Sequence, residues 1–183
     1  MEHQGKITMI SNLGMLLLLA AAIFLHGSSS NAQPSTPDQI DKLKKLGARI
    51  KLDDQNRVIS VNLGERRVAD ADLVHLKGLD HLQELDLTRT SVTSAGLANI
   101  KDLKTLRRLF LTETKVDESG IKDLKEMKTL ELLGLSGTNI GDPALDHLQE
   151  LTGLKLLFCI GTAVTDVGVE KLQRALPKCK IAH

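Results

Sequence analysis

The side chains best suited to chemistry are few and stand apart. The chain has six histidines and two cysteines among 183 residues. His75 and His147 occupy the same place in a 24-residue period, three periods apart. At a strand spacing of about 4.8 Å they would be roughly 14 Å from each other, too far to share a metal ion or pass a proton. No H-E-x-x-H, G-x-S-x-G, phosphate-loop or C-x-x-C pattern occurs. Asp70, Ser94, Glu118, Asp142 and Asp166 form a mostly acidic column at one repeat position. A column of carboxylates suggests calcium. The simpler reading gives each residue a local task as a helix N-cap, satisfying backbone amides. The expectation is therefore no catalytic residue, no metal and no cofactor.

The cysteines receive a similar reading. Cys159 falls where other repeats carry core leucines, so it reads as a small buried hydrophobe. Cys179 falls at the second position of an incomplete sixth strand, and this stagger would separate the two by roughly 13 Å. A disulfide is the alternative, because an exported protein with two cysteines invites one.

Composition removes further classes of function. Lys and Arg total 24 against 23 Asp and Glu, for a net charge of +1. That balance offers no basic stripe for a nucleic acid. The chain has no Trp, no Tyr and three Phe, which excludes a base-stacking platform.

What must position any functional side chain is the period itself. From Val58 onward apolar residues recur at positions 1, 4, 6, 11, 16, 19 and 22 of a 24-residue unit. In the second copy these are Leu82, Leu85, Leu87, Val92, Leu97, Ile100 and Leu103. Positions 4 and 6 have strand spacing, and positions 16, 19 and 22 have the spacing of a helix stripe. One strand, one turn and one helix per 24 residues is the unit of a leucine-rich repeat. The predicted fold class is α/β: a short right-handed solenoid with parallel strands on the concave face and helices on the convex face. Five copies cover residues 58–177. Position 9 carries Thr90, Thr114, Thr138 and Thr162, whose hydroxyls are expected to bond their own turn and the neighbouring one as a ladder.

The ends read differently. Lys6 precedes an uncharged apolar run from Leu13 to Leu25, and Ser30-Asn31-Ala32 offers small residues where a signal peptidase cuts. Residues 1–32 are expected to be a signal peptide and the mature chain to start at Gln33, in the periplasm or outside the cell. The alternative is an uncleaved membrane anchor, the only circumstance in which a membrane is a partner. Residues 33–37 form a linker. Residues 38–57 are expected to be an N-terminal cap of helix plus strand, with Thr36 as N-cap, Gln39 closing a capping box, and Ile40, Leu43 and Leu46 on the buried face. Residues 178–183 are expected to be a C-terminal edge strand. Its lysines, Lys178 and Lys180, discourage edge pairing, so a monomer is expected and edge-to-edge dimerisation is the alternative.

The pattern L-x-x-L-x-L-x-x-T-x-V-T-D-x-G-L-x-x-L, carried best by LKLLFCIGTAVTDVGVEKL in the last copy, resembles the secreted leucine-rich repeat proteins of planctomycetes. Thr stands where many such repeats have Asn or Cys. The resemblance runs from about Leu46 to His183, and the ending ALPKCKIAH shares it. Arg66 departs from the ladder Thr, and Asp72 and Ala144 depart from the Gly of position 15. The resemblance implies the fold and a generic binding role; it supplies neither a ligand nor catalytic residues.

The side chains of positions 3, 5 and 7 should leave the strand away from the core. Down the copies this face changes from polar (Ser60, Asn62, Glu84, Asp86) to apolar. Phe110, Leu132, Leu156, Phe158 and Ile160 are the expected contact centre for a protein partner, with Arg108, Arg107 and Lys155 as a basic rim. Phe110 and Phe158 should flank a gap at Gly134. The function expected is a non-enzymatic interaction scaffold. The alternative is a structural or envelope-associated repeat protein without a discrete ligand.

Overall fold

Thr36 caps the first helix of the computed structural model, which describes residues 36–183. The signal peptide expected at 1–32 lies outside the described residues. Pro37 opens helix α1 (Pro37–Lys45), whose missing amide costs nothing at that place. The Thr36 hydroxyl accepts from the Gln39 amide at 3.3 Å. The Gln39 side chain does not return to Thr36 as a capping box would. Its Nε2 donates instead to the carbonyls of His75 and Lys77, at 3.0 and 2.8 Å, and ties the helix to the first repeat. Leu43 is fully buried, with Ile40 and Leu46 packed beside it. Gly47, at φ +83, ends the helix in a conformation that favours glycine.

Seven strands follow: β1 (Arg49–Leu52), β2 (Val58–Asn62), β3 (Glu84–Asp86), β4 (Arg108–Phe110), β5 (Leu132–Gly134), β6 (Leu156–Phe158) and β7 (Lys180–Ala182). They form one sheet in chain order. β1 is antiparallel to β2, and every later pair is parallel with partners 24 residues apart, such as Leu85 with Leu109 and Leu133 with Leu157. Parallel strands need a crossover, and each repeat supplies a short helical one. These are a 3-10 segment (Asp70–Leu76), α2 (Ser94–Leu97), α3 (Glu118–Ile121), α4 (Asp142–Leu148) and α5 (Asp166–Ala175). The predicted helices are thus mostly one or two turns long. The core is the column of repeated apolar positions: Leu82, Leu106 and Leu130, for example, are all fully buried.

The position 13 residues are not the N-caps. The cap is one residue earlier: Thr93, Asp117 and Thr165 accept amide bonds from their own first turns. Position 13 instead reaches the next repeat. Asp70 accepts from the Thr93 amide and hydroxyl at 2.7 and 2.6 Å, and Asp142 likewise from Thr165 at 2.8 and 2.7 Å. Ser94 accepts from the Asp117 amide at 3.0 Å, and Glu118 from the Gly141 amide at 3.0 Å. In the last copy, His183 Nε2 lies 2.7 Å from Asp166 Oδ1. The acidic column is therefore an inter-repeat fastener, and no cluster of metal ligands exists among the described residues.

The threonine ladder matches expectation within each turn but not between turns. Thr90, Thr114, Thr138 and Thr162 each donate to the carbonyl three residues back in their own turn, at 2.6–2.7 Å. Backbone amides make the neighbour contacts there, as from Ser91 to Val68 and Lys115 to Val92. Arg66, in the odd copy, donates from Nε to the Gly47 carbonyl at 3.1 Å and so clamps the end of α1.

Candidate binding surface

Alternation along each strand sends position 4 inward and positions 3 and 5 outward. In β4, Leu109 is fully buried, Arg108 is exposed and Phe110 is half-buried. The strand register then stacks the outward residues into rows. One row runs Ser60, Glu84, Arg108, Leu132, Leu156, Lys180, and the next runs Asn62, Asp86, Phe110, Gly134, Phe158, Ala182. Beyond the strands, Ile160 continues the face at position 7. The residues expected at the contact centre are thus brought onto one side of β4, β5 and β6.

The two halves of the face differ in how they are satisfied. In the N-terminal half, Asn62 donates to Asp86 at 2.7 Å, and Asp86 also accepts from the Thr88 amide at 2.9 Å. Glu84 pairs with Arg108. In the C-terminal half, Leu132 and Leu156 are half-buried, Phe158 is 37% exposed and Ile160 is 55% exposed. Gly134 does not leave the expected gap. A Cβ there would lie 3.4 Å from Phe110 Cδ1, so the Phe110 ring leans over the glycine and smooths the surface.

The basic rim is neutralised within the protein. Arg107 and Lys155 both reach Glu131, at 3.2 and 2.7 Å, which holds that carboxyl below its ordinary pKa, Lys155 contributing most. The turn after each strand passes through a left-handed residue: Glu65, Arg89 and Glu113 in the first three copies, then Gly137 and Gly161. Arg89 bridges Glu65 and Glu113 at 3.3 and 2.9 Å, so a charged rail edges the polar half. The glycines leave the edge beside Ile160 without side chains.

No residue constellation suited to catalysis appears on this face. His75 is half-buried and His147 exposed on the opposite, helical side. Both cysteines are free and buried. Cys179 keeps the second position, since Lys180 pairs with Leu156 one period back, but its amide bonds the Leu176 carbonyl instead of the neighbouring strand and its side chain is buried.

The class is defined by this sheet and register: the chain folds as a leucine-rich repeat solenoid. No protein-family model matches it, and no curated protein does. Solved structures similar to it include a leucine-rich repeat protein of Leptospira interrogans, at 24% identity and TM-score 0.48, covering 60% of this chain and 27% of that one. An internalin from Listeria monocytogenes is similar at 17% identity and TM-score 0.46, covering 67% and 39%. The ectodomain of the receptor kinase SOBIR1 from Arabidopsis thaliana is similar at 13% identity and TM-score 0.49, covering 81% and 92%. The chain thus spans well under half of the first two proteins. The fold assignment rests on the strand register, and no ligand is carried over from these proteins.

Proposed function

We propose that this chain is a non-catalytic, extracytoplasmic scaffold that binds a protein through the open face of its sheet. The observation that carries the reading is the apolar C-terminal half, where Phe158 and Ile160 stand exposed beside Leu132 and Leu156. Exposed apolar surface of this kind is costly in a soluble protein unless something covers it. The contact centre is Phe110, Leu132, Leu156, Phe158 and Ile160, with Arg108 at its margin. The strands that present it are anchored by fully buried neighbours such as Leu133, so the surface is pre-organised.

A Phe158→Ser, Ile160→Ser double variant tests this reading. Both side chains project from the core, so the variant should melt like the parent and lose the partner that the parent retains from an envelope extract. Equal retention by both proteins would refute the reading. Export is part of the proposal, resting on the apolar run and the Ser30-Asn31-Ala32 site. The exported protein should have an intact mass that starts at Gln33; a mass retaining residues 1–32 would make it membrane-anchored instead.

A further inference from the structure

The N-terminal edge of the same face holds a second feature, which the apolar patch does not use. β1 runs antiparallel to β2 with Arg49 opposite Asn62 and Lys51 opposite Ser60. Ile50 packs against the core, so Arg49 and Lys51 project to the open side. Together with Ser60, Asn62 and Glu84 they border a hollow of about 350 Å³. The carboxylates nearby are already engaged, Glu84 by Arg108 and Asp86 by Asn62. Among the described residues neither Arg49 nor Lys51 has an ion-pair partner, whereas Glu84 pairs with Arg108 and Glu131 with Arg107 and Lys155.

Resting on the proposed binding role of this face, we infer that the partner presents an extended segment, acidic at one end and apolar at the other, laid across the strands. Its acidic end meets Arg49 and Lys51; its apolar end meets Leu156, Phe158 and Ile160. The sheet fixes the separation. β1 and β6 are five strand intervals apart, roughly 24 Å at about 4.8 Å each. An extended chain covers that distance in about seven residues at about 3.3 Å per residue. The polar middle of the face, with its internally satisfied Asn62–Asp86 and Glu84–Arg108 pairs, asks only for small polar residues between the two ends. Opposite charge recognises the acidic end and sets its direction, while the apolar end supplies most of the affinity. Lys180 on β7 is the competing cation at the other margin, opposite Leu156.

The experiment uses labelled synthetic peptides, Asp-Asp, a Ser/Thr spacer and Leu-Phe-Leu, with spacers of about two, five or nine residues, and matched Asn-Asn versions. Binding to the full protein is measured by anisotropy at low and high salt. The five-residue spacer should bind best, and its acidic form roughly five-fold tighter than its Asn-Asn form at low salt, the size expected of two exposed ion pairs. Arg49→Glu with Lys51→Glu should erase that difference and leave the Asn-Asn peptide unchanged. Both residues are exposed, and a melting curve checks that the variant is folded. Three outcomes would overturn the inference: equal binding of acidic and neutral peptides, loss of the difference with Lys180→Glu instead, or no binding by any peptide. If the Asn-Asn peptide still binds and needs Phe158 and Ile160, the apolar site stands although the acidic end has failed.

Discussion

Changing Gly120 to alanine should destabilise the protein, although alanine is the better helix former. Gly120 sits at position 15, in α3, against position 13 of the preceding repeat. A Cβ there would lie 2.7 Å from Ser94 Oγ and 2.9 Å from Ser94 Cα and Cβ. Because one of those atoms is backbone, the repeats must move apart; no side-chain rotation relieves the contact. Overpacking of this kind costs about 1–3 kcal/mol. Ser94 Oγ also donates to Asp117 Oδ1 at 2.6 Å and accepts from the Asp117 amide at 3.0 Å. Losing either bond adds about 1 kcal/mol. Helix propensity returns about 1 kcal/mol. The net effect is destabilisation by about 2 kcal/mol, a fall of about 4–8 °C in a domain of this size. The reverse change one repeat later has the same sign. Ala144 is fully buried, and the preceding position 13 is Glu118, which reaches past it to the Gly141 amide. Ala144→Gly should cost about 1–2 kcal/mol through propensity and a lost buried methyl. Thermal or urea melts of both variants decide the matter. A Gly120→Ala protein at least as stable as the parent would refute the fastener between repeats.

Two further outcomes concern titration. Asp53 is held at about 2, below its ordinary 3.8, first by the Arg57 side chain and then by the Arg57 and Gln55 amides. A depressed carboxyl stabilises above its unfolded pKa, so the β1–β2 turn should be at full strength above about pH 4 and loosen as pH falls toward 2. Amide exchange of Asn56 and Arg57 should show this, and Asp53→Asn should abolish the pH dependence. Burial pushes both Cys159 and Cys179 up to about 11, the neighbouring Cys179 adding slightly to Cys159. A thiol reagent at pH 8 should therefore react only after denaturant is added. Rapid reaction of the native protein, or fewer than two thiols after unfolding without reductant, would contradict that.

The parts of the fold fixed by apolar spacing were legible because one side chain per position suffices to reveal a buried stripe. Leu85, Leu109, Leu133 and Leu157 announce both the strand and its register. What was not legible involves pairs of residues in different repeats. Position 13 looked like an N-cap because Asp and Ser favour that role, and one residue separates the two readings. A signal was present all the same. Where position 13 is Asp or Ser, the next repeat has Gly at position 15, as with Asp70 and Gly96, Ser94 and Gly120, and Asp142 and Gly168. Where it is Glu118, the next repeat has Ala144. A short side chain lies over the glycine and a long one passes it. The gap at Gly134 was misjudged for a related reason: counting side chains along a row cannot show that the Phe110 ring turns to cover its neighbour. Cys179 keeps its place in the period, but a period cannot show that its side chain turns into the core.

The two kinds of position explain why the open face is asymmetric while the core is not. Inward positions must match the neighbour on both sides, so they stay apolar and mostly leucine through the copies, as Leu85, Leu109, Leu133 and Leu157 do. Outward positions answer only to solvent and to their row. In the first three copies those rows are closed by internal pairs: Asn62 with Asp86, Glu84 with Arg108, and Glu65 and Glu113 with Arg89. Three of the rail residues hold left-handed backbone that L side chains adopt at a cost of roughly 1–2 kcal/mol each. From Gly137 onward that cost disappears, and so does the rail. Had stability alone shaped the turns, glycine would serve equally well in the first three copies. The changeover instead coincides with the place where Phe158 and Ile160 become exposed beside the half-buried Leu132 and Leu156. A bare edge there would let a partner's backbone approach the apolar rows of the proposed site from the side. A rail rebuilt with Gly137→Glu and Gly161→Arg would therefore obstruct the proposed site without touching any apolar residue.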